Sequence, residues 1–242
     1  MALRHCSGQT IMIPGGDLKI FTLAFIFGGL LPSLLWLWFW LKEDEEHPEP
    51  KTILALVFLM GLAVVVLVLP IQKFIDAQIL SASGKLVLWA ATEEALKFLA
   101  VLLLLWGTHA ANEPIDWPIY LITAALGFAT LENTLFLMKP IAVSGATVSL
   151  LTGQLRFLGS TLLHTITSGL IGIAMGISFH LGSWRRAILV FGWFLVAVAL
   201  HSAFNFFIIR NDGNDFMQVF AFLWVTAIIL LLLFEKVRRI SK

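Results

Sequence analysis

Residues 86–106 read LVLWAATEEALKFLAVLLLLW. The run is as long as the roughly 20 apolar residues that cross a hydrocarbon core about 30 Å thick. Yet Glu93, Glu94 and Lys97 sit in its middle. Such a run is either a membrane helix or the centre of a large soluble core, and the rest of the chain decides between them. Of 242 residues, 59% are hydrophobic and 13% charged, with a mean hydropathy of +0.93. A soluble domain holds about 45–50% apolar and about 25% charged residues. The fold class is therefore all-α, a polytopic membrane helix bundle.

Similar runs cover roughly 18–41, 53–70, 118–138, 156–180, 187–208 and 216–234. Together they predict about seven transmembrane helices, within a range of about six to eight. These spans use up the chain, so residues 1–242 form a single transmembrane domain with its motif-bearing core at about 85–208. Segment 71–85 is less apolar. Ile71, Phe74, Ile75 and Ile79 recur at helical spacing with Lys73, Asp76 and Gln78 between them, which predicts a short interfacial helix or an irregular extracytoplasmic loop. Lys42–Lys51 (KEDEEHPEPK), Gly107–Trp117 and Asn211–Asp215 (NDGND) read as polar connections. Residues 1–17 lack the apolar run of a signal peptide. The lone Cys6 excludes an internal disulfide and a cysteine-ligated metal cluster. A net charge of +1 without a basic arm gives no nucleic-acid footprint.

Lys236, Arg238, Arg239 and Lys242 crowd the tail, and Arg185 and Arg186 fall on the same face if there are seven spans. Positive residues favour the cytoplasm, so the C-terminus is expected there, in the plasma membrane of a bacterium or archaeon. Trp36, Trp38, Trp40, Trp106, Trp117 and Trp184 would form a belt on that side.

A charge at mid-bilayer costs about 2.5–3.5 kcal/mol on insertion scales. Glu93, Glu94 and Glu132 lie inside spans, as do the imidazoles of His164 and His201. Counted along antiparallel helices, Glu93, Glu132, His164 and His201 fall at one level, roughly 10 Å below the surface opposite the basic tail. Lys97 stands i,i+4 from Glu93 and i,i+3 from Glu94, so it can serve either acid as an internal counter-ion. Which acid takes it stays open. His201 and Asn205 share a helix face at i,i+4, as do Phe128 and Glu132, and Asn133 adjoins the glutamate.

These residue types suit hydrolysis. A desolvated Glu93 or Glu94 would activate water as a general base, and His201 and Asn205 would donate to the oxyanion. Alternatively, Glu132, His164 and His201 would bind Zn²⁺, a carboxylate and two imidazoles with one position open. Glu93 or Glu94 would then be the base. No H-E-x-x-H motif is present. A proton- or ion-coupled transporter stays open as an alternative, with the same carboxylates and histidines as a relay. It predicts polar residues strung along a path through the bilayer rather than banded at one level. Structural readings compete too: an ion-paired Glu93–Glu94–Lys97 cluster, or His164, His201 and Asn205 as interhelical glue. His5, His47, His109 and His180 fall in tails, loops or span ends and are not assigned a role. Gly169, Gly172 and Gly176 in the 168–176 run, with Gly28, Gly29 and Gly61, predict close helix–helix contacts.

Four short motifs follow in order on four predicted helices: E-E-A-L-K at 93–97, F-A-T-L-E-N at 128–133, His164 with Gly172 beyond it, and H-S-A-F-N at 201–205. Together they resemble the PrsW family of intramembrane proteases, within a wider group that includes the type II CAAX prenyl endopeptidases. The resemblance covers about residues 85–208. It implies a multi-helix core with catalytic water between helices. It also implies a single-pass membrane protein as substrate, in PrsW-type systems an anti-sigma factor cut outside the membrane. The Glu93/Glu94 pair would hold the base. Glu132 stands where the CAAX relatives have histidine, and His164, His201 and Asn205 fall on the later motifs. The family is described both as metalloprotease and as glutamate-type hydrolase, and some CAAX-like relatives are linked to bacteriocin self-immunity.

Overall fold

The computed structural model describes residues 15–43, 48–144, 146–210 and 216–241. Helix α1 (Gly15–Leu23) passes through a π-helical stretch (Ala24–Leu30) into α2 (Leu31–Lys42). Then come α3 (Lys51–Gln78), α4 (Ala82–Leu105), α5 (Asp116–Ser144), α6 (Ala146–Ile177), α7 (Ser183–Arg210) and α8 (Phe216–Ser241). There is no strand among the described residues. In lipid every backbone N–H and C=O must be satisfied within the protein, and uninterrupted helices do this.

Among the described residues, six helical segments are long and apolar enough to cross a membrane, against the seven expected. The helix outside this set is α4, which carries Lys85, Glu93, Glu94 and Lys97. The chain is a multi-pass membrane protein. Cys6, the acidic tract 44–47 and the NDGND cluster at 211–215 lie outside the described residues.

One expected connection proves to be largely a continuation of its neighbours. The 71–85 segment is not a separate interfacial helix: α3 runs through Pro70 to Gln78 and buries Ile75. A short turn then leads to Ser81, whose Oγ accepts the Gly84 N–H at 3.3 Å and caps α4. Between the runs 118–138 and 156–180 the chain is helical on both sides of residue 145, as the end of α5 and the start of α6. At the other end of α4, Gly107 adopts a φ of +72°, a left-handed conformation that glycine takes without a Cβ penalty, and the chain turns toward α5.

The centre of the bundle is α6. It packs against α4, α5, α7 and α8, and α3 closes the ring by packing on α4 and α5. Glycines bring backbones together at the inner seams. A Cβ on Gly61 would land on the Ala124 carbonyl, and one on Gly127 would land on the Phe58 carbonyl, so α3 and α5 touch backbone to backbone. Gly172 faces Pro118 and the Trp117 carbonyl, while Gly29 faces the Thr130 carbonyl. The small-residue expectation holds at Gly28, Gly29, Gly61, Gly169, Gly172 and Gly176, each of which has a neighbour where a side chain would go.

Gly61→Leu is expected to destabilise the detergent-solubilised protein by about 1–3 kcal/mol or more, because backbone cannot yield as a side-chain tip can. Gly192→Ala, where a Cβ meets nothing within 4 Å, is expected to be neutral or slightly stabilising. Thermal unfolding of the two variants beside the parent checks both.

Candidate active site

Glu93 and Glu94 are neighbours on α4, so their side chains leave the helix about 100° apart. Both stay inside the ring of helices, with Glu94 fully buried and Glu93 4% exposed. Their surroundings differ.

Glu94 is saturated. Its Oε1 accepts from Lys97 Nζ at 2.7 Å, from His201 Nδ1 at 2.8 Å and from Thr167 Oγ1 at 2.9 Å. Its Oε2 accepts from Ser168 Oγ at 3.0 Å. The lysine question is thus decided: Glu94 takes Lys97, which is itself fully buried. Burying both charges is tolerable only because each is paired and hydrogen-bonded.

Glu93 is only half engaged. Its Oε1 accepts from Gln72 Nε2 at 2.7 Å. Its Oε2 is buried, makes no hydrogen bond to the protein and lies 3.6 Å from His201 Nε2. Because Nδ1 of His201 donates to the Glu94 carboxylate, the neutral ring carries its lone pair on Nε2. With the ring neutral, two acceptors face one another, an arrangement that suits a shared hydrogen donor or a cation between them; with the ring protonated, the same two atoms form an ion pair.

A second branch leaves Lys97. Its Nζ also meets His164 Nδ1 at 3.2 Å and lies 5.1 Å from the centre of the Phe128 ring. An ammonium has donors only, so Nδ1 accepts. The hydrogen of His164 then sits on Nε2, which donates to Glu132 Oε2 at 2.8 Å. Glu132 also accepts from Ser160 Oγ at 3.1 Å. Its side chain is 19% exposed, against 6% for Glu93 and none for Glu94. It is the acid nearest the outside. The imidazoles of His164 and His201 stand edge to face, 5.0 Å apart.

Five of the six expected catalytic residues, Glu93, Glu94, Glu132, His164 and His201, form this one network, and Lys97 joins its branches. Asn205 is half-buried one turn beyond His201 on α7. Glu132, His164 and His201 were the residues expected to hold a metal; the acid with an oxygen beside both imidazoles is Glu93. Ligand atoms of Glu93, His164 and His201 lie within 4.8 Å of one another, whereas Glu132 sits behind His164 as its hydrogen-bond partner. The donor chemistry fits a divalent transition metal. The unpartnered Glu93 Oε2 and the His201 Nε2 lone pair are ready ligands. His164 can join only by freeing a ring nitrogen from its present partner, Nδ1 from Lys97 or Nε2 from Glu132.

Gln72, Thr167 and Ser168 went unread in the sequence. A signal for the last two existed: Ser160, Thr161, His164, Thr167 and Ser168 recur at three- and four-residue spacing, which puts them on one face of α6. Gln72 lay in the segment taken for an interfacial helix.

A family model described as PrsW family intramembrane metalloprotease matches residues 49–233, more than half of the chain. No curated protein and no solved structure matches it.

Lys97→Met leaves the fully buried Glu94 without its counter-ion, and such a loss costs about 3–5 kcal/mol. The double variant Lys97→Met/Glu94→Gln is expected to recover much of that stability. Thermal unfolding of the single and double variants measures the difference. Equal losses in both would remove the ion pair from its central place.

Proposed function

The chain belongs to the PrsW family of intramembrane metalloproteases, and from that premise we propose that it cuts a single-pass membrane protein in its membrane-proximal segment, with Glu93 activating the water. Membership makes it a peptidase acting in a lipid environment. The substrate class, of the anti-sigma-factor kind, follows from the family resemblance. The observation that carries the mechanism is the buried, unpartnered Glu93 Oε2 facing His201 Nε2 at 3.6 Å.

A water at the apex of these two atoms donates one hydrogen to each. As it attacks the scissile carbonyl, Glu93 Oε2 takes its proton, a step worth about 10²–10⁴-fold in rate. His201 is held by Glu94 in the tautomer that leaves Nε2 toward the water, the role a carboxylate plays behind histidine in hydrolase triads. Lys97 keeps Glu94 ionised for that purpose. Asn205, one turn further along α7, is the candidate donor to the oxyanion, a contribution of about 10²–10³-fold. His164 Nε2–H and Glu132 stand beside the site as the route by which a proton reaches the leaving amine. A metal, when bound, would sit on Glu93, His201 and His164 and supply Lewis-acid polarisation of water or carbonyl.

The lack of ionisable groups in the adjoining turns of α5 argues for a local reaction rather than transport. Leu121, Ile122, Thr123, Ala124, Ala125 and Leu126 are all fully buried, on the side of the network toward the α5 N-terminus, and the Thr123 hydroxyl is spent on the Ile119 carbonyl of its own helix. In this reading α4 makes the seventh crossing, the C-terminus is cytoplasmic and the site opens toward the extracytoplasmic face.

Glu93→Gln is expected to lower cleavage by at least about 100-fold. Native-host strains carrying the parent or the variant at equal levels, compared by quantifying new N-termini of membrane proteins, read this out. Unchanged N-termini would sink the assignment of Glu93. Metal analysis of the purified protein is expected to find bound transition metal, with a loss of roughly 10–100-fold in affinity or more for His201→Ala.

A further inference from the structure

We infer that Gln72 is a positioning residue for the hydrolysis: it holds one oxygen of Glu93 so that the other is presented to His201. The inference rests on Glu93 being the base.

Gln72 sits on the inward stripe of α3. Val65, Val68, Gln72 and Ile75 follow one another at spacings of three, four and three residues, and the three around Gln72 are buried. The other side chains on that stripe are aliphatic. The remaining polar groups of this end of the helix, Lys73, Asp76 and Gln78, point outward and are exposed. An aliphatic residue at 72 would satisfy packing without the cost of desolvating an amide. The amide is instead spent on Glu93 Oε1, at 2.7 Å.

What this contact does follows from the freedom of a glutamate. The terminal torsion of its carboxylate is broad and nearly two-fold. With neither oxygen tied, the plane would swing, and Oε2 would leave His201 Nε2. Glu94 has four partners from its own helix, α6 and α7. Glu93 has one hydrogen bond among those described, from α3. The register of α3 is in turn set by the backbone contacts of Gly61 and Gly127 with Ala124 and Phe58. Gln72 thus couples a tightly seated helix to the orientation of the one reactive oxygen.

The test uses the full-length chain in native-host membranes, reading the protease-dependent N-termini, and the same variants purified for thermal unfolding. Gln72→Met keeps length and apolar bulk and removes the N–H. Gln72→His keeps an N–H donor of similar reach. Gln72→Met is expected to slow cleavage about 10–100-fold, the scale of a misplaced catalytic group, with its melting temperature within about 2 °C of the parent. Gln72→His is expected to recover part of the rate. Cleavage by Gln72→Met at the parental rate overturns the inference while Glu93→Gln stays inactive. Loss of rate and melting temperature together, unrelieved by Gln72→His, makes the contact structural and overturns it as well. Parental cleavage by Glu93→Gln defeats both this inference and the assignment of Glu93 on which it rests.

Discussion

The hydrogen-bonded carboxylate of Glu94 is the constraint on which the site depends. An ionised carboxylate in an apolar bundle is tolerated only when its lone pairs are satisfied. Here they are met by Lys97 from the same helix, Thr167 and Ser168 from α6 and His201 from α7. The carboxylate therefore fixes the rotation of α4 against two neighbours. It also selects the tautomer of His201, and through Lys97 that of His164. With Glu94 so held at Nδ1, the helical turn between adjacent residues carries Glu93 toward α3 and toward Nε2 of the His201 ring.

Two identical side chains in sequence thus acquire opposite tasks. Glu94 is fully occupied and organises its surroundings. Glu93 keeps one oxygen without a hydrogen bond in a buried setting, an arrangement that stores unmet hydrogen-bonding capacity where water or a cation is to be used. The scaffold that permits this is close-packed. Glycine contacts between α3 and α5, and between α5 and α6, bring helix axes near enough for short side chains such as Thr167 and Ser168 to reach α4. Wider spacing would leave Glu94 with fewer donors and raise the cost of its charge.

The helical class, the membrane setting and most of the site were readable because each follows from local rules. Apolar length marks spans, and charge inside a span marks chemistry. The agreement in depth of Glu93, Glu132, His164 and His201 followed from helical rise alone. The misreadings have equally physical sources. The less apolar segment after residue 70 was read apart from the span before it, yet α3 continues through Pro70 to Gln78. Proline removes one donor but does not end a helix whose neighbours support it. That error hid Gln72. Equal depth says nothing of azimuth either: Glu132 hydrogen-bonds to His164, while ligand atoms of Glu93, His164 and His201 lie within 4.8 Å of one another.

By itself the sequence determined that this chain is a bundle of membrane helices with acids, imidazoles and a lysine gathered in one layer. Composition and helical periodicity act along a single helix and need no partner. Only the tertiary structure decided which glutamate pairs with Lys97, which oxygen stays open and which residue of α3 reaches it. Those outcomes depend on the rotation of each helix about its axis. That rotation is set where helices meet, by glycine seams and by the need of a buried carboxylate for donors from several helices at once.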